Sequence, residues 1–318
     1  MRRRRHDIVQ LIILSVLGGA VVLTLLLPRL PAEQSAGETT EISVILREGD
    51  SALWPNIRLG MEQAAGELRA ELRVLTPAEI NDGGEQLRIL RREVEGETDV
   101  VIIAPADPAG LDRALREEAV HQPVVSMESA LSEGKVTVAP DNRALGQALG
   151  EAVIEDGAGD GFVLLVSASP ETAGVTDRLA GASEALAAAG TKVREREVSI
   201  ADGGEGLKTL MKHPDLSAVL VLEPLLTEEA AAIKIGLGLT VPLYGVGVTA
   251  EGASYLQQGV ISAAAAWSDF AAGYLAVEAA VCLSRGEEYR TELLPFFIVR
   301  GEDVYEPAYQ KLLFPVTA

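Results

Sequence analysis

Three carboxylates, Asp50, Glu128 and Glu223, follow within a few residues of apolar, β-branched runs in this sequence. The carboxyl ends of parallel strands border the ligand crevice in open α/β sheets, so these side chains are candidate ligand-binding groups. Few basic residues share these loops, and an acidic crevice favours a cationic or polyhydroxylated ligand over an anionic one. The alternative is that each carboxylate is a solvated loop charge.

The two tryptophans of the chain, Trp54 and Trp267, fall close to such loop positions. An indole ring can form a stacking wall for a ring-shaped ligand or a cation. The same side chains could instead pack the lobes of the protein, and the sequence leaves both interpretations open.

No arrangement typical of catalysis is found in the sequence. The three histidines, His6, His121 and His213, are too scattered to indicate a metal site. There is neither a G-x-S-x-G nucleophile elbow nor a G-x-x-x-x-G-K-[ST] phosphate loop. The single cysteine, Cys282, excludes an internal disulfide and is typical of a small apolar core residue. We therefore predict a binding protein with no catalytic residue, metal or cofactor.

Short β-rich runs alternate with helical segments from residue 42 onward. Strands are predicted over residues 42–46, 73–75, 99–105, 123–127 and 135–139, and helices over residues 54–72, 84–95 and 109–120. This βαβα order predicts an α/β fold with a parallel, doubly wound sheet covered by helices on both faces.

The same pattern occurs twice along the chain. INDGGEQLRIL (80–90) matches IADGGEGLKTL (200–210), and SVIL (43–46) falls on VLLV (163–166) at the same offset. Any two βα units share some similarity, but several matches in register favour two similar lobes built one after the other. Two such lobes would leave a cleft between their strand ends, a geometry suited to closing on a small molecule.

The stretch VTVAPDNRALGQALGEAV (136–153) marks a change of direction in this pattern. A β-branched run stops at Pro140, and a helix rich in small residues begins after Asp141 and Asn142. Asp or Asn at this position can cap the free N–H groups of the new helix. We expect Gly146 to let the helix approach the sheet closely.

This corner resembles the segment where type I periplasmic binding proteins, in the branch of ribose and galactose binders, cross from the first lobe to the second. The resemblance extends over residues 41–300 and includes IIAPAD (102–107) and TDRLAGASEAL (176–186). It implies two Rossmann-like lobes with parallel sheets, joined by a three-strand hinge that includes Asp141 and Asn142.

The resemblance also implies the domain boundaries, because the chain would return near Trp267 and cross again near Pro295. The implied segments are residues 42–140 and 267–295 for the N-terminal lobe, and residues 141–266 and 296–318 for the C-terminal lobe.

Ligand positions follow from the resemblance as well. Arg178 matches the arginine at the start of the first helix of the second lobe, which commonly bonds ligand oxygens. Glu128 and Ser129 stand where sugar binders have an Asp-Arg pair, Glu223 replaces an asparagine, and Trp267 replaces a polar residue. The scaffold is therefore retained while most of the sugar-reading side chains differ. From the residues alone, Arg178 could equally be a salt-bridge partner on a helix surface.

The N-terminus carries four arginines at residues 2–5, followed by a mostly apolar run at residues 8–27. A helix of that length spans about 30 Å, the thickness of a membrane's hydrocarbon core. The arginines predict a cytoplasmic tail at residues 1–7, and hence a chain outside the membrane after a polar tether at residues 28–41. A cleaved signal peptide is the alternative, although the run is long and lacks a small-residue cleavage site.

The formal net charge of −20 argues against a nucleic-acid partner, since an acidic body repels phosphates. These observations together predict a membrane-anchored, extracytoplasmic protein that binds a small polar ligand, either sugar-like or another polyol or cationic solute. The family implies that it serves an ABC-type importer through the permease subunits. The alternative is a ligand-sensing or interaction domain that reports to a membrane sensor kinase.

Overall fold

Two parallel β-sheets organise the part of the chain that the computed structural model describes, namely residues 39–49, 54–157, 159–168, 172–199, 204–247, 249–290, 293–307 and 309. From Thr40 onward the chain forms one compact unit. Apolar clusters lie on both faces of each sheet, beneath the flanking helices. We call each sheet with its helices a lobe, and the predicted α/β class with two parallel-sheet lobes is confirmed.

The elements follow one another in regular alternation. The first half contains β1 (Thr40–Ile45), α1 (Trp54–Leu68), β2 (Ala70–Leu75), α2 (Gly83–Val94), β3 (Val100–Ile103), α3 (Pro108–Glu117), β4 (Val124–Met127), β5 (Val136–Val138) and α4 (Asn142–Glu155). The second half contains β6 (Phe162–Ser167), α5 (Ala173–Ala188), β7 (Lys192–Glu197), α6 (Glu205–Met211), β8 (Leu216–Val221), α7 (Pro224–Leu237), β9 (Leu243–Val246), α8 (Ala250–Gln257), β10 (Ala263–Trp267), α9 (Asp269–Ser284) and β11 (Phe296–Val299), followed by a 3₁₀ turn at Asp303–Tyr305.

The two sheets share one strand order, as expected for a duplicated unit. Within the described residues, the first sheet runs β2-β1-β3-β4-β5, and the second runs β11-β10-β9-β8-β6-β7. The second sheet, starting from β7, repeats the order of the first and adds β11 as an antiparallel edge strand. β1 and β6 therefore occupy equivalent inner positions, which agrees with the match between residues 43–46 and 163–166.

Each half of the chain gives its last helix to the lobe of the other half. α4 follows β5 of the first sheet, yet its apolar side chains join the core formed by α5 and the second sheet. α9 follows β10 of the second sheet, yet it packs into the core formed by α1 and the first sheet. The chain then crosses once more between α9 and β11, where Leu294 forms a β-bridge with Pro140.

Glycines allow these exchanged helices to pack with their backbones in contact. A Cβ at Gly60 of α1 would collide with the carbonyl oxygen of Phe270, and a Cβ at Gly273 of α9 would collide with that of Ile57. The same reciprocal arrangement joins α4 and α5, where a Cβ at Gly146 would overlap the carbonyl group of Arg178. The expectation that Gly146 faces the sheet is therefore wrong, because its close neighbour is the backbone of α5.

One predicted boundary is also wrong. The helix predicted over residues 54–72 ends at Leu68, and the strand predicted over residues 73–75 begins at Ala70. Arg69 lies between them with a φ of +61°, a left-handed conformation that ends the helix within one residue. Alternating polar residues in β2 hid the strand, since this edge strand is largely exposed.

Among the described residues, no helix is long and apolar enough to cross a membrane. The predicted anchor at residues 8–27, the predicted tail and most of the predicted tether lie outside the described residues.

Substituting Gly60→Ala should destabilise the protein by about 1–3 kcal/mol, because the added methyl group forces α1 away from α9. Gly66→Ala on the same helix is the matched control. A Cβ there meets nothing within 4 Å, so the substitution should stabilise by about 0.5–1 kcal/mol through helix propensity. Urea unfolding measures both variants, and equal stability of the two would contradict the proposed role of the glycine contact.

Candidate functional site

Charged side chains from both lobes converge between the two sheets. Arg47 and Glu128 follow β1 and β4 of the first lobe, whereas Arg178 lies on α5 and Glu223 follows β8 of the second lobe. The charges of Arg47, Glu128 and Glu223 all act on the guanidinium of Arg178. These residues are far apart in the sequence, and the two folded lobes bring them into one cluster.

The first lobe contributes an ion pair to this cluster. Arg47 Nη2 lies 2.7 Å from Glu128 Oε2, and the two side chains are only 12% and 22% exposed. Burial by itself lowers the pKa of Arg47, but the carboxylates of Glu128, Glu48 and Glu223 outweigh it, so that the pKa is raised. Glu128 also has a φ of +63°, a left-handed backbone conformation that is found mostly at sites under functional or structural constraint.

Asn142 connects the two lobes at the first residue of α4. Its Nδ2 donates to the carbonyl oxygen of Glu128 over 3.0 Å, and its Oδ1 accepts from Arg178 Nε over 2.7 Å. The preceding residue, Asp141, caps the helix by accepting from the backbone N–H of Ala144. The crossover corner therefore holds both the start of α4 and the arginine of the cluster.

Arg178 is 4% exposed and makes its hydrogen bonds within the protein. Besides the bond from Nε to Asn142, its Nη1 donates to the carbonyl oxygen of Leu222 over 2.6 Å. Burial lowers the pKa of Arg178 to about 10, with Glu128 opposing this effect and Arg47 adding to it, so the side chain stays protonated at neutral pH. These two hydrogen bonds fix the plane of the guanidinium group.

The two lobes touch directly beside this arginine. The backbone N–H of Gly174, at the start of α5, donates to Ser129 Oγ over 3.0 Å. A Cβ at Gly174 would lie 2.7 Å from the carbonyl oxygen of Glu128, so only glycine permits this approach. The arrangement is that of two lobes closed on one another at this point.

The remaining predicted site residues occupy different surroundings. Glu223 is 5% exposed and accepts a hydrogen bond from the backbone N–H of Ala168. The Trp267 ring centre lies 5.9 Å from Arg178 Cζ, and this ring packs against the cores of both lobes. Trp54 is 9% exposed within the core of the first lobe, and Asp50 lies outside the described residues. Their roles in ligand binding stay predictions.

Sequence reasoning missed three members of the cluster: Arg47, Ser129 as an interlobe contact, and Asp269. Arg47 directly follows the first strand, a position at which ligand-binding side chains are expected. Only the carboxylates at such positions were predicted as ligand-binding groups. Asp269 begins α9 just after the second crossover, and it is half-buried. Burial raises the pKa of Asp269 to about 7, and the nearby carboxylate of Glu128 adds to the effect. No described residue forms a hydrogen bond or an ion pair with this carboxyl group.

The cluster contains acids, guanidinium groups and an indole, a set that can bind a polar solute without covalent chemistry. No group of three potential metal ligands occurs in the part of the chain that the structure describes.

Comparison with protein families shows a match to the model described as "Periplasmic binding protein domain" over residues 42–288. Comparison with curated protein sequences finds no significant match.

Solved structures share the fold. A carbohydrate transporter solute-binding protein from Agrobacterium radiobacter, in complex with D-arabinose, aligns with a TM-score of 0.81 at 18% identity, covering 87% of this chain and 100% of that one. GanP, a glucose-galactose binding protein from Geobacillus stearothermophilus, aligns with a TM-score of 0.76 at 22% identity, covering 84% and 99%. A XylFII-LytSN complex contains a chain that aligns with a TM-score of 0.76 at 18% identity, covering 84% and 99%. At these identities the similarity establishes the fold.

Replacing Asp269 with Asn should stabilise the protein increasingly as the pH rises from about 4 to about 7. Below about pH 4 the Asp269 carboxyl group is protonated in both the folded and the unfolded wild type. Between about pH 4 and pH 7 it ionises in the unfolded chain but keeps its proton in the folded chain. The free energy of unfolding of the wild type therefore falls as the pH rises through this range. The difference between the variant and the wild type should grow by at most about 1.4 kcal/mol per pH unit and level off above pH 7.

Urea unfolding between pH 4 and pH 8 measures this difference. Asp160→Asn, at an exposed aspartate, is the control and should follow the wild type. A constant difference between Asp269→Asn and the wild type across the range would contradict the burial of an unpaired carboxyl group.

Proposed function

Because the chain belongs to the family of periplasmic binding protein domains, we propose that it captures a small polar solute between its two lobes. The domain acts outside the cytoplasm, as is general for the family, and it performs no covalent chemistry on the solute. Capture occurs by closure of the lobes around the ligand, with the three crossing segments as the hinge.

One observation carries this proposal, namely the environment of Arg178. Its guanidinium is buried and held in orientation by Asn142 and the carbonyl group of Leu222. The orientation of a charged donor before binding reduces the entropy that a ligand must lose. Carboxylates of both lobes surround it, so a solute placed here would contact both lobes at once.

The ligand class follows from the charges of the cluster. The carboxylates of Glu48, Glu128 and Glu223, with the carboxyl group of Asp269, accompany only two guanidinium groups, those of Arg47 and Arg178. Hydroxyl-rich or cationic solutes satisfy such a set, whereas anionic solutes are repelled. The similar structure that contains D-arabinose and the similar glucose-galactose binding protein support a sugar-like or other polyol ligand here.

The ligand-contacting residues that we propose are those singled out in the sequence. They are Asp50, Trp54, Glu128, Arg178, Glu223 and Trp267, with Asp141 and Asn142 at the hinge. The proposed lobes divide at residues 140–141, 266–267 and 295–296.

We further propose that the apolar run at residues 8–27 anchors the domain to the membrane and that permease subunits of an ABC importer receive the solute. The motivating observation is the cluster of arginines immediately before the run.

A second candidate function is ligand sensing, in which the closed domain reports to a membrane sensor kinase. It is favoured by the similarity to a chain of the XylFII-LytSN complex. It is also favoured by the changed side chains at sugar-contacting positions.

A thermal-shift panel of sugars, polyols, polyamines, amino acids and nucleosides tests solute capture on the full-length chain. One class should raise the melting temperature in a saturable manner, equivalent to about 2.7 kcal/mol at a ligand concentration of 100 Kd.

Arg178→Lys keeps the charge but loses the planar fork, and it should weaken binding by about tenfold or more. Arg143→Lys, at an exposed arginine on α4, is the matched control and should bind like the wild type. The absence of a shift with every class would contradict solute capture.

Affinity purification of the full-length chain from its native membrane separates the two candidate functions. Permease subunits should be recovered with the ligand-saturated protein. Recovery of a histidine kinase without permease subunits would replace transport by sensing.

A further inference from the structure

One carboxyl group of the charged cluster has no use within the fold. Asp269 is the first residue of α9, but the preceding Ser268 already caps this helix, because its Oγ accepts from the backbone N–H of Ala271 over 3.1 Å. Asp269 is half-buried, and among the described residues its side chain forms neither a hydrogen bond nor an ion pair. Neither helix capping nor pairing within the described chain therefore accounts for a carboxyl group at this position.

The packing of α9 places Asp269 at the edge of the first sheet that borders the cleft. At the other end of the helix, Ser284 lies beside the beginning of β1, with its Oγ 3.4 Å from Thr40 Oγ1. Arg285, just beyond the helix, donates from Nη2 to the carbonyl oxygen of Leu68, the last residue of α1, over 3.2 Å. α9 therefore runs antiparallel to β1 and parallel to α1, so that Asp269 lies near the carboxyl ends of the first-lobe strands.

The elements packed against α9 bring several charged groups to this edge. They are Arg47 and Glu48 after β1, Asp107 after β3, Glu128 after β4, Asp141 after β5 and Arg58 near the start of α1. Asp107 and Asp141 cap the helices that follow them, and Arg58 pairs with Glu62 on its own helix. The charge that acts on the carboxyl group of Asp269 is the negative one of Glu128.

Both guanidinium groups of the cluster are engaged elsewhere. Arg47 lies 2.7 Å from Glu128, and Arg178 donates to Asn142 and to the carbonyl oxygen of Leu222. An ionised carboxylate that is partly removed from water and lies close to a second carboxylate is unfavourable without a cation. Burial, with Glu128 adding to its effect, accordingly raises the pKa of Asp269 to about 7. The group that this position lacks is a cation.

We propose that Asp269 binds a protonated amino group of the solute, and that the solute is therefore a hydroxylated amine, such as an amino sugar or an amino polyol. This inference rests on the solute capture proposed above and narrows its ligand class. When the ammonium group arrives, the carboxyl group of Asp269 releases its proton to the solvent. The resulting carboxylate accepts a charge-assisted hydrogen bond from the ammonium N–H.

Isothermal titration calorimetry on the full-length chain compares two matched pairs of probes: 6-amino-6-deoxy-D-glucose with D-glucose, and 1-amino-1-deoxy-D-glucitol with D-glucitol. Within each pair, an ammonium group replaces one hydroxyl group. In at least one pair, the amine should bind about tenfold more tightly than its neutral counterpart at about pH 7.5, since hydrogen bonds to charged groups are the stronger ones.

The affinity for that amine should rise about tenfold for each pH unit up to about pH 7 and level off above it. Below pH 7 the carboxyl group of the free protein is protonated, so the amine must displace a proton; above pH 7 the carboxylate is already formed. The primary amine stays protonated throughout, as a lysine side chain does. Titrations in phosphate and in Tris, whose ionisation enthalpies differ, should show release of close to one proton at about pH 6 and almost none at about pH 8.

Asp269→Asn removes the charge and should abolish both the preference for the amine and the release of a proton. This variant is expected to be at least as stable as the wild type, and thermal unfolding verifies that a loss of binding is not a loss of folding. Asp160→Asn, at an exposed aspartate of the second lobe, is the matched control and should keep the wild-type preference.

The proposal would be overturned if neither amine binds more tightly than its neutral counterpart, which includes the case in which no probe binds. A preference that persists in Asp269→Asn, or an affinity for the amine that is independent of pH, would overturn it as well. Solute capture has its own test in the thermal-shift panel. A saturable shift with any class, without a preference for the amine, would reject the amine site and leave solute capture in place.

Discussion

The close contact between backbones in two helix pairs is the constraint on which this architecture depends. Gly60 and Gly273 join α1 to α9, and Gly146 and Gly181 join α4 to α5, each glycine facing a carbonyl group of the neighbouring helix. In both pairs, one helix arrives from the other half of the chain. The glycine contacts therefore hold α4 and α9 against the lobe formed by the other half of the chain. These contacts also determine where the chain crosses between the lobes.

The charged cluster is built on the same crossing. Asn142 starts the exchanged helix α4, and its amide holds both Glu128 of the first lobe and Arg178 of the second. A buried guanidinium requires such partners, because an unpaired charge in the interior is strongly unfavourable. The residue that fixes the path of the chain between the lobes thus also fixes the orientation of the arginine that is proposed to bind the solute.

Much of this organisation could be predicted from the sequence, because inner parallel strands appear as continuous apolar runs and the duplicated half repeats them. Glu128, Arg178 and Glu223 could be singled out because strand ends and helix starts define the crevice. The pairing of Arg47 with Glu128 could not, since it depends on which strands are neighbours. The unpaired state of Asp269 depends on residues more than a hundred positions away. The contact of Gly146 was misassigned because local spacing shows which face a glycine occupies but not what packs against it.

The exchange of helices has a consequence for how the polypeptide acquires its structure during synthesis. The sheet of the first lobe is complete once residue 138 has been made, yet the helix that covers one of its faces ends only at Ser284. Until then, apolar surface that α9 buries remains open on the nascent chain. The two halves must therefore reach their final form together, after α9 has been made.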